Sequence, residues 1–221
     1  MDLLRYAQER LRRADALIDE ITKEKEIACG KGCNFCCFGV PLWVKPPEAL
    51  QIAHTLNKLP IRERKEIASR LSAYRREYRE QSRSAGYEPA SPIREEELNV
   101  EKLGIVCGLG MNDVPCPFLD QESGSCRVYE ARPLMCRLTL YRDRGICEED
   151  WKNPISFLWK KEISPFIEGI KTEFHKKWSA ELRKMEENFS QLDIAYLEGS
   201  VLLLPEHLRF DPIRKSFRLK L

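Results

Sequence analysis

Four cysteines stand within nine residues of this chain, in the stretch CGKGCNFCC at positions 29–37. A hydrophobic core has no use for so many small, reactive thiols in one place. Two residues separate Cys33 from Cys36, and this spacing lets one tight turn aim two thiolates at one metal. Gly30 and Gly32 permit the positive φ and the close backbone approach that such a turn needs. The stretch therefore predicts a bound metal that organises the fold.

More cysteines follow about eighty residues later, each separated from the next by nine or ten residues: Cys116, Cys126, Cys136 and Cys147. A zinc ribbon carries two C-x2-C pairs, whereas this chain carries one. Cysteines delivered singly from separate turns suit an iron–sulfur cluster at least as well as a zinc ion. An iron–sulfur cluster and a zinc site therefore both stay open.

The remaining cysteine positions differ in kind. Cys36 and Cys37 are adjacent, and neighbouring side chains diverge on most backbones, so we expect one of them to serve another metal, another cluster edge or a redox step. Cys107 stands apart after an apolar pair, and we expect it to be a buried packing residue. Cys147 is expected to be an eighth ligand.

Arginines are frequent among the downstream cysteines. Four thiolates around a divalent zinc ion or a dicationic four-iron cluster leave about two negative charges, which are costly to bury. We expect Arg132 and Arg137 to hydrogen-bond the ligating sulfurs or a bound anion. A solvated basic surface is the alternative for this set, which is Arg127, Arg132, Arg137, Arg142 and Arg144.

The composition limits the classes of partner. The 221 residues contain 37 Lys and Arg against 35 Asp and Glu, so the net charge is only +2 and favours neither nucleic acid nor a membrane surface. The sequence has no signal-peptide pattern and no apolar run long enough to span a membrane. Nine cysteines in clusters are more typical of metal thiolates in a reducing compartment than of disulfides. We expect a cytoplasmic protein with a possible protein partner and an open oligomeric state.

Four segments place apolar residues at helical spacing and are predicted to be amphipathic helices: 1–27, 47–59, 61–83 and 167–189. Pro46-Pro47 starts the second helix and Pro60 ends it. The first helix has an apolar seam that we expect to pack on its own domain, with a coiled-coil contact as the minor alternative. Its residues are Leu4, Ala7, Leu11, Ala14, Ile18 and Ile21.

These elements predict a mostly α fold in which amphipathic helices wrap an irregular cysteine-rich metal-binding centre. We expect one domain over residues 1–221, made of an N-terminal helix (1–27), a cysteine-cluster region (28–150) and a C-terminal helical region (151–221). Residues 82–95 combine Ser, Gly and Pro without periodicity and are predicted to be a loop. A short apolar segment, 194–204, follows the last helix.

Three motifs together resemble the YkgJ-like cysteine-cluster proteins, described as a zinc- or iron-chelating domain and named for a CxxCxxCC motif. The motifs are CGKGCNFCC, PCPFLD at 115–120 and SCRVYEARPLMCR at 125–137, and the resemblance spans roughly 27–140. The resemblance implies that Arg132-Pro133 and Arg137 are motif positions. This chain differs from the family's pattern in having three residues, rather than two, between its first two cysteines. The implied ligands are Cys29, Cys33, Cys36, Cys37, Cys116, Cys126 and Cys136.

Two other families carry related cysteine motifs. Flagellin lysine-N-methylases look like relatives, so protein methylation is an alternative, although Gly108-Leu109-Gly110 is more typical of a turn than of an S-adenosylmethionine site. The spacing Cys29-x3-Cys33-x-Phe35-Cys36 also matches the radical S-adenosylmethionine signature. A helix precedes the motif, however, and no βα repeats follow it.

We therefore predict a metal-binding protein whose eight thiols hold an iron–sulfur cluster, with a four-iron cluster favoured over other cluster types. A second metal is possible beside it, and we expect a redox or cluster-dependent role. A structural zinc module without catalysis and a lysine N-methylase are the alternatives. Whether the protein is an enzyme stays open.

Overall fold

The computed structural model describes residues 2–30, 32–38, 42–84, 93–94, 114–152 and 164–220. Cys107 and Gly108-Leu109-Gly110 lie outside these residues. The described α-helices are α1 (Asp2–Thr22), α2 (Pro46–Leu56), α3 (Ile61–Ser84), α4 (Leu134–Leu138), α5 (Arg144–Lys152), α6 (Ser164–Asn188), α7 (Ile194–Gly199) and α8 (Leu204–His207). The prediction of a mostly α protein is confirmed.

The described strands are short and pair antiparallel. They are β1 (Trp43–Val44), β2 (Ile93–Arg94), β3 (Leu119–Asp120), β4 (Ser125–Cys126), β5 (Ser200–Leu203), β6 (Leu208–Asp211) and β7 (Ser216–Leu219). Strand β5 lies between β1 and β2, and β3–β4 and β6–β7 form two hairpins. Among the described residues no two strands pair in parallel, so this part of the chain lacks the βα repeats of radical S-adenosylmethionine enzymes, as the sequence predicted.

The N-terminal helix packs on its own domain, against α2 and α6. Its buried face partly differs from the predicted seam. Leu4 and Leu11 are only half-buried, whereas Tyr6, Leu17 and Arg10 are buried. Arginine was not expected in a core, and its carboxylate partners, described below, explain how its charge is accommodated.

Helices α2 and α3 form where the apolar spacing placed them. The apolar line of α3 is buried along its length, at Ile67, Leu71, Tyr74 and Tyr78. Helix α2 begins at the predicted proline pair but ends at Leu56, because the chain turns before Pro60.

Two expectations on the chain's non-helical parts need correction. The predicted loop 82–95 begins inside α3, which continues to Ser84, and it contains β2. The apolar segment 194–204 divides into α7 and β5, and β5 is the central strand of the three-stranded sheet. A strand of four buried residues has the same continuous apolar pattern as a buried helical turn, so periodicity alone does not separate them.

Two hydrophobic cores lie beside the cysteine region. The first joins α2, α3 and the sheet, and it includes Leu42, Phe118 and Val128. The second joins α1 and α6, and it includes Leu138 of α4. The cysteines thus lie where two helical layers meet. None of the described helices is both long and apolar enough to cross a membrane.

Candidate metal centre

The cysteine stretch folds as a turn followed by one turn of 3-10 helix, Phe35–Cys37. The Cys33 N–H donates to the Gly30 carbonyl at 3.1 Å, and Gly32 has a φ of +91°, in the left-handed region that favours glycine. The positive φ expected of Gly32 is confirmed, whereas the described Gly30 does not have one. Of these two glycines, only Gly32 uses the left-handed conformation.

A second glycine, which the sequence analysis missed, lets the downstream hairpin approach this turn. Gly124 has a φ of +67°, and a Cβ there would lie 3.3 Å from the Gly32 carbonyl oxygen and 3.2 Å from the Asn34 side chain. A larger residue at 124 would push the two segments apart. The flanking serines, Ser123 and Ser125, typical of a turn, were the available signal.

Backbone hydrogen bonds bring the downstream cysteines to the stretch. The Cys116 N–H donates to the Cys37 carbonyl at 2.6 Å, next to an isolated bridge between Phe38 and Pro115. Strand β4 then places Cys126 opposite Leu119 in the β3–β4 hairpin. Helix α4 supplies Cys136.

Six of the eight predicted ligands line one cavity of about 50 Å³, which we call the cysteine pocket. Leu42, Phe118 and Val128 form its apolar wall, and Arg132 also lines it. The lining cysteines are Cys33, Cys36, Cys37, Cys116, Cys126 and Cys136.

The two other predicted ligands, Cys29 and Cys147, lie in a neighbouring apolar cluster with Tyr141 and Ile167, and we call them the outer pair. The Cys29 sulfur accepts the Tyr141 N–H at 3.2 Å. Cys147 is 3% exposed. Helix α5, which carries Cys147, packs against the 3-10 turn Phe35–Cys37, so the outer pair borders the pocket without lining it.

Burial sets the protonation of most of these thiols in the metal-free protein. It raises the pKa of Cys116 to about 12, and it is also the main cause of the raised pKa values of Cys126, Cys136 and Cys29. These thiols must lose protons when they bind a metal.

The adjacent cysteines do not diverge as expected, because both line the pocket and they share a hydrogen bond. That hydrogen bond lowers the pKa of Cys36 and raises the pKa of Cys37, the arrangement of a thiol donating to a thiolate.

The two predicted arginines have different environments. The Arg132 guanidinium carbon lies 3.8 Å from the centroid of the Tyr129 ring, and its buried Nε has no hydrogen-bond partner among the described residues. Arg137 instead donates to the backbone carbonyls of Arg132 and Glu130 at 2.8 and 2.7 Å, and to Asp15. Arg132 thus offers an N–H to the pocket, whereas Arg137 holds the chain around it.

The donor set fits a metal centre bound through sulfur. Six thiols are more than the four that a tetrahedral zinc ion or a four-iron cluster takes, and the unsatisfied Arg132 Nε–H suits a sulfur acceptor. Within the described residues, no three Cys, His, Asp or Glu side chains already have metal-binding geometry. The sulfurs therefore have to close around a metal when it binds.

Comparison with known proteins identifies the family. The family model CxxCxxCC, "Putative zinc- or iron-chelating domain", matches residues 28–155, which is more than half of the 221 residues. No curated protein and no solved structure matches the chain. The match begins just before Cys29 and includes all eight predicted ligands. The chain therefore belongs to the CxxCxxCC family of metal-binding cysteine-cluster proteins.

Proposed function

We propose that the protein holds an iron–sulfur cluster in the cysteine pocket and has a redox or cluster-dependent role. The observation that carries this proposal is the convergence of six cysteines from three parts of the chain on one cavity. One zinc ion and one four-iron cluster each take four cysteine ligands, so the number of thiols does not separate them. The cysteines at 116, 126 and 136 come singly from separate turns, without the second C-x2-C pair of a zinc ribbon, and this arrangement favours the cluster.

Charge near the pocket supports the same proposal. A thiolate-bound cluster carries net negative charge, and hydrogen bonds to its sulfurs tune the reduction potential. Arg132 supplies a half-buried cation and an unsatisfied N–H at the pocket wall. When bound, the cluster would supply electron-transfer chemistry, and Arg132 would stabilise its negative charge.

The proposal also gives the outer pair a place. We assign Cys29 and Cys147 to a second metal position beside the cluster, because they share an apolar cluster and Cys29 interacts electrostatically with Cys33 and Cys36 of the pocket. Cys33 and Cys36 are therefore the sulfurs through which the two positions would meet.

Anaerobic purification from iron-replete cells tests the proposal. We expect brown protein with sulfur-to-iron absorption in the visible range, iron and acid-labile sulfide in similar amounts, and a paramagnetic signal after one-electron reduction or oxidation. Colourless protein that contains only zinc would contradict it.

A structural zinc site is the second candidate, because the pocket offers more than the four thiols that one zinc ion takes and its cavity of about 50 Å³ is small. This hypothesis predicts zinc in the anaerobic protein and unfolding on chelation. It fails if zinc is removed while the helical signal and the melting temperature stay unchanged.

A further inference from the structure

The helix that carries Cys136 lacks a cap of its own. Helix α4 has only five residues, and the residue before it, Pro133, has no side chain that can accept a hydrogen bond from the first turn. The Leu134 N–H instead donates to Glu48 Oε1 of α2 at 2.8 Å. A carboxylate from a distant helix therefore sets the start of the helix that presents Cys136 to the pocket.

Three donors fix that carboxylate. Besides the Leu134 N–H, Glu48 accepts the Lys45 N–H on Oε2 at 2.8 Å and Arg10 Nη1 on Oε1 at 3.1 Å. The Glu48 side chain is 10% exposed, so little water competes for it. Its position is thus determined by protein groups on three elements.

Arg10 is itself held on the other side. Its Nε and Nη2 donate to the two carboxylate oxygens of Glu198 on α7 at 2.6 and 2.9 Å, and Tyr6 donates its hydroxyl to Glu198 at 2.8 Å. The paired donors of a guanidinium and the paired oxygens of a carboxylate fix each other's orientation. A rigid chain of contacts therefore runs from Glu198 through Arg10 and Glu48 to the Leu134 N–H.

A second contact from α1 holds the same region. Asp15, on α1, accepts from Arg137, which also donates to the carbonyls of Arg132 and Glu130 just before α4. Helix α1 is thus linked to the Cys136 segment at two points. Arg10 acts through Glu48 at the start of α4, and Asp15 acts through Arg137 within α4. Arg10, Asp15 and Glu198 all lie outside the family match at 28–155.

We propose that Glu48, held by Arg10, is a positioning residue that directs the Cys136 sulfur into the metal centre. This inference rests on the proposed metal-binding function and extends it to residues that bind no metal. A ligand held by a fixed partner loses less freedom when the metal binds, and removing such partners lowers metal affinity in other sites by about 10- to 100-fold. The sequence signal was an arginine on the apolar face of α1, between Ala7 and Ala14.

The test uses Co²⁺ as the probe, because its thiolate charge-transfer absorption reports how many sulfurs bind. We expect Glu48→Ala to lower the Co²⁺ affinity of the reduced metal-free protein by about 10- to 100-fold and to weaken the charge-transfer band per bound ion. Glu48→Gln should weaken Co²⁺ binding less than Glu48→Ala does, because its amide oxygen can still accept the Leu134 N–H, although its NH2 group then faces the Lys45 N–H. Wild-type behaviour of Glu48→Ala would overturn the inference.

Glu198→Ala is the matched control. It removes a similarly buried carboxylate from the same arginine, with the side chain 13% exposed against 10% for Glu48, but among the described residues it makes no hydrogen bond to α4. We expect it to lower the melting temperature but to weaken Co²⁺ binding much less than Glu48→Ala does, because Glu48 keeps the Lys45 and Leu134 N–H donors. If it weakens Co²⁺ binding as much as Glu48→Ala does, the network acts only through stability and the inference is wrong.

A second variant avoids the loss of a buried charge. Leu134→Pro removes the one N–H that Glu48 accepts on α4, at a first helical position that tolerates proline. We expect the same fall in Co²⁺ affinity, and wild-type affinity here would also overturn the inference. Wild-type protein that binds Co²⁺ without a thiolate band would instead refute the proposed function, and this inference with it.

Discussion

The cysteine pocket and the outer pair contain the same kind of side chain in two different environments. The pocket surrounds a cavity next to the half-buried Arg132 guanidinium, so its six thiols face open space and a positive charge. The outer pair packs against Tyr141 and Ile167, where Cys147 is almost fully buried. Cysteine spacing alone therefore does not separate the two groups of thiols, whereas the side chains around them do.

The largest expected effect is on a pocket cysteine. Cys116→Ser should abolish most of the bound cluster, because it takes a buried thiol ligand out of the pocket. If the free metal stands at about 1,000 times its dissociation constant, losing the site lowers the free energy of unfolding by about 4 kcal/mol. Metal analysis measures the cluster content, and urea unfolding of the anaerobic protein measures the free energy of unfolding. If Cys116→Ser keeps its full cluster content, the pocket cysteines are not the cluster ligands that set the pocket apart from the outer pair.

The pH dependence of metal binding should also be steep. Burial raises the pKa of Cys116 to about 12 and raises the pKa values of Cys126 and Cys136, so these thiols are protonated at neutral pH in the metal-free protein. Protons compete with the metal, and affinity therefore rises with pH, by about tenfold per pH unit for each proton released. Co²⁺ titrations of the metal-free protein between pH 6 and 8 check the slope, and a flat profile would contradict it.

A smaller effect is expected at the outer pair. Cys147→Ala should leave the iron and sulfide of the pocket unchanged and remove only the second metal. The small cavity that it leaves should lower the free energy of unfolding by about 1 kcal/mol. Loss of the pocket cluster would mean that all eight cysteines form one centre, and unchanged content of every metal would make Cys147 a packing residue.

The smallest expected effect concerns Arg132. Arg132→Gln removes a positive charge from the pocket wall. The reduced cluster, which carries one more electron, then becomes less stable, so the reduction potential should fall by tens of millivolts. For a one-electron couple, ~59 mV corresponds to a tenfold change in the equilibrium constant. Arg79→Gln is the control, because that exposed arginine pairs with Glu206 away from the pocket. Equal shifts in the two variants would show that only overall charge matters.

Much of the fold followed from local pattern. Apolar spacing placed α1, α2, α3 and α6 within a few residues of their ends, because an amphipathic helix records its buried face in its own sequence. The β6–β7 hairpin and strand β5 were missed. Such short strands gain their stability from partners elsewhere in the chain, and their own residues carry only a weak period.

By itself the sequence determined that this is a cysteine-cluster metal-binding protein, because close thiol spacing and the family motifs are local properties. Only the tertiary structure decided which sulfurs share a cavity, that Cys36 and Cys37 converge, and that Arg132 rather than Arg137 borders the pocket. It also brought Arg10, Glu48 and Glu198 to the helix of Cys136. The physical reason is that buried charges and shared cavities depend on contacts between residues far apart in the chain, which no local pattern records.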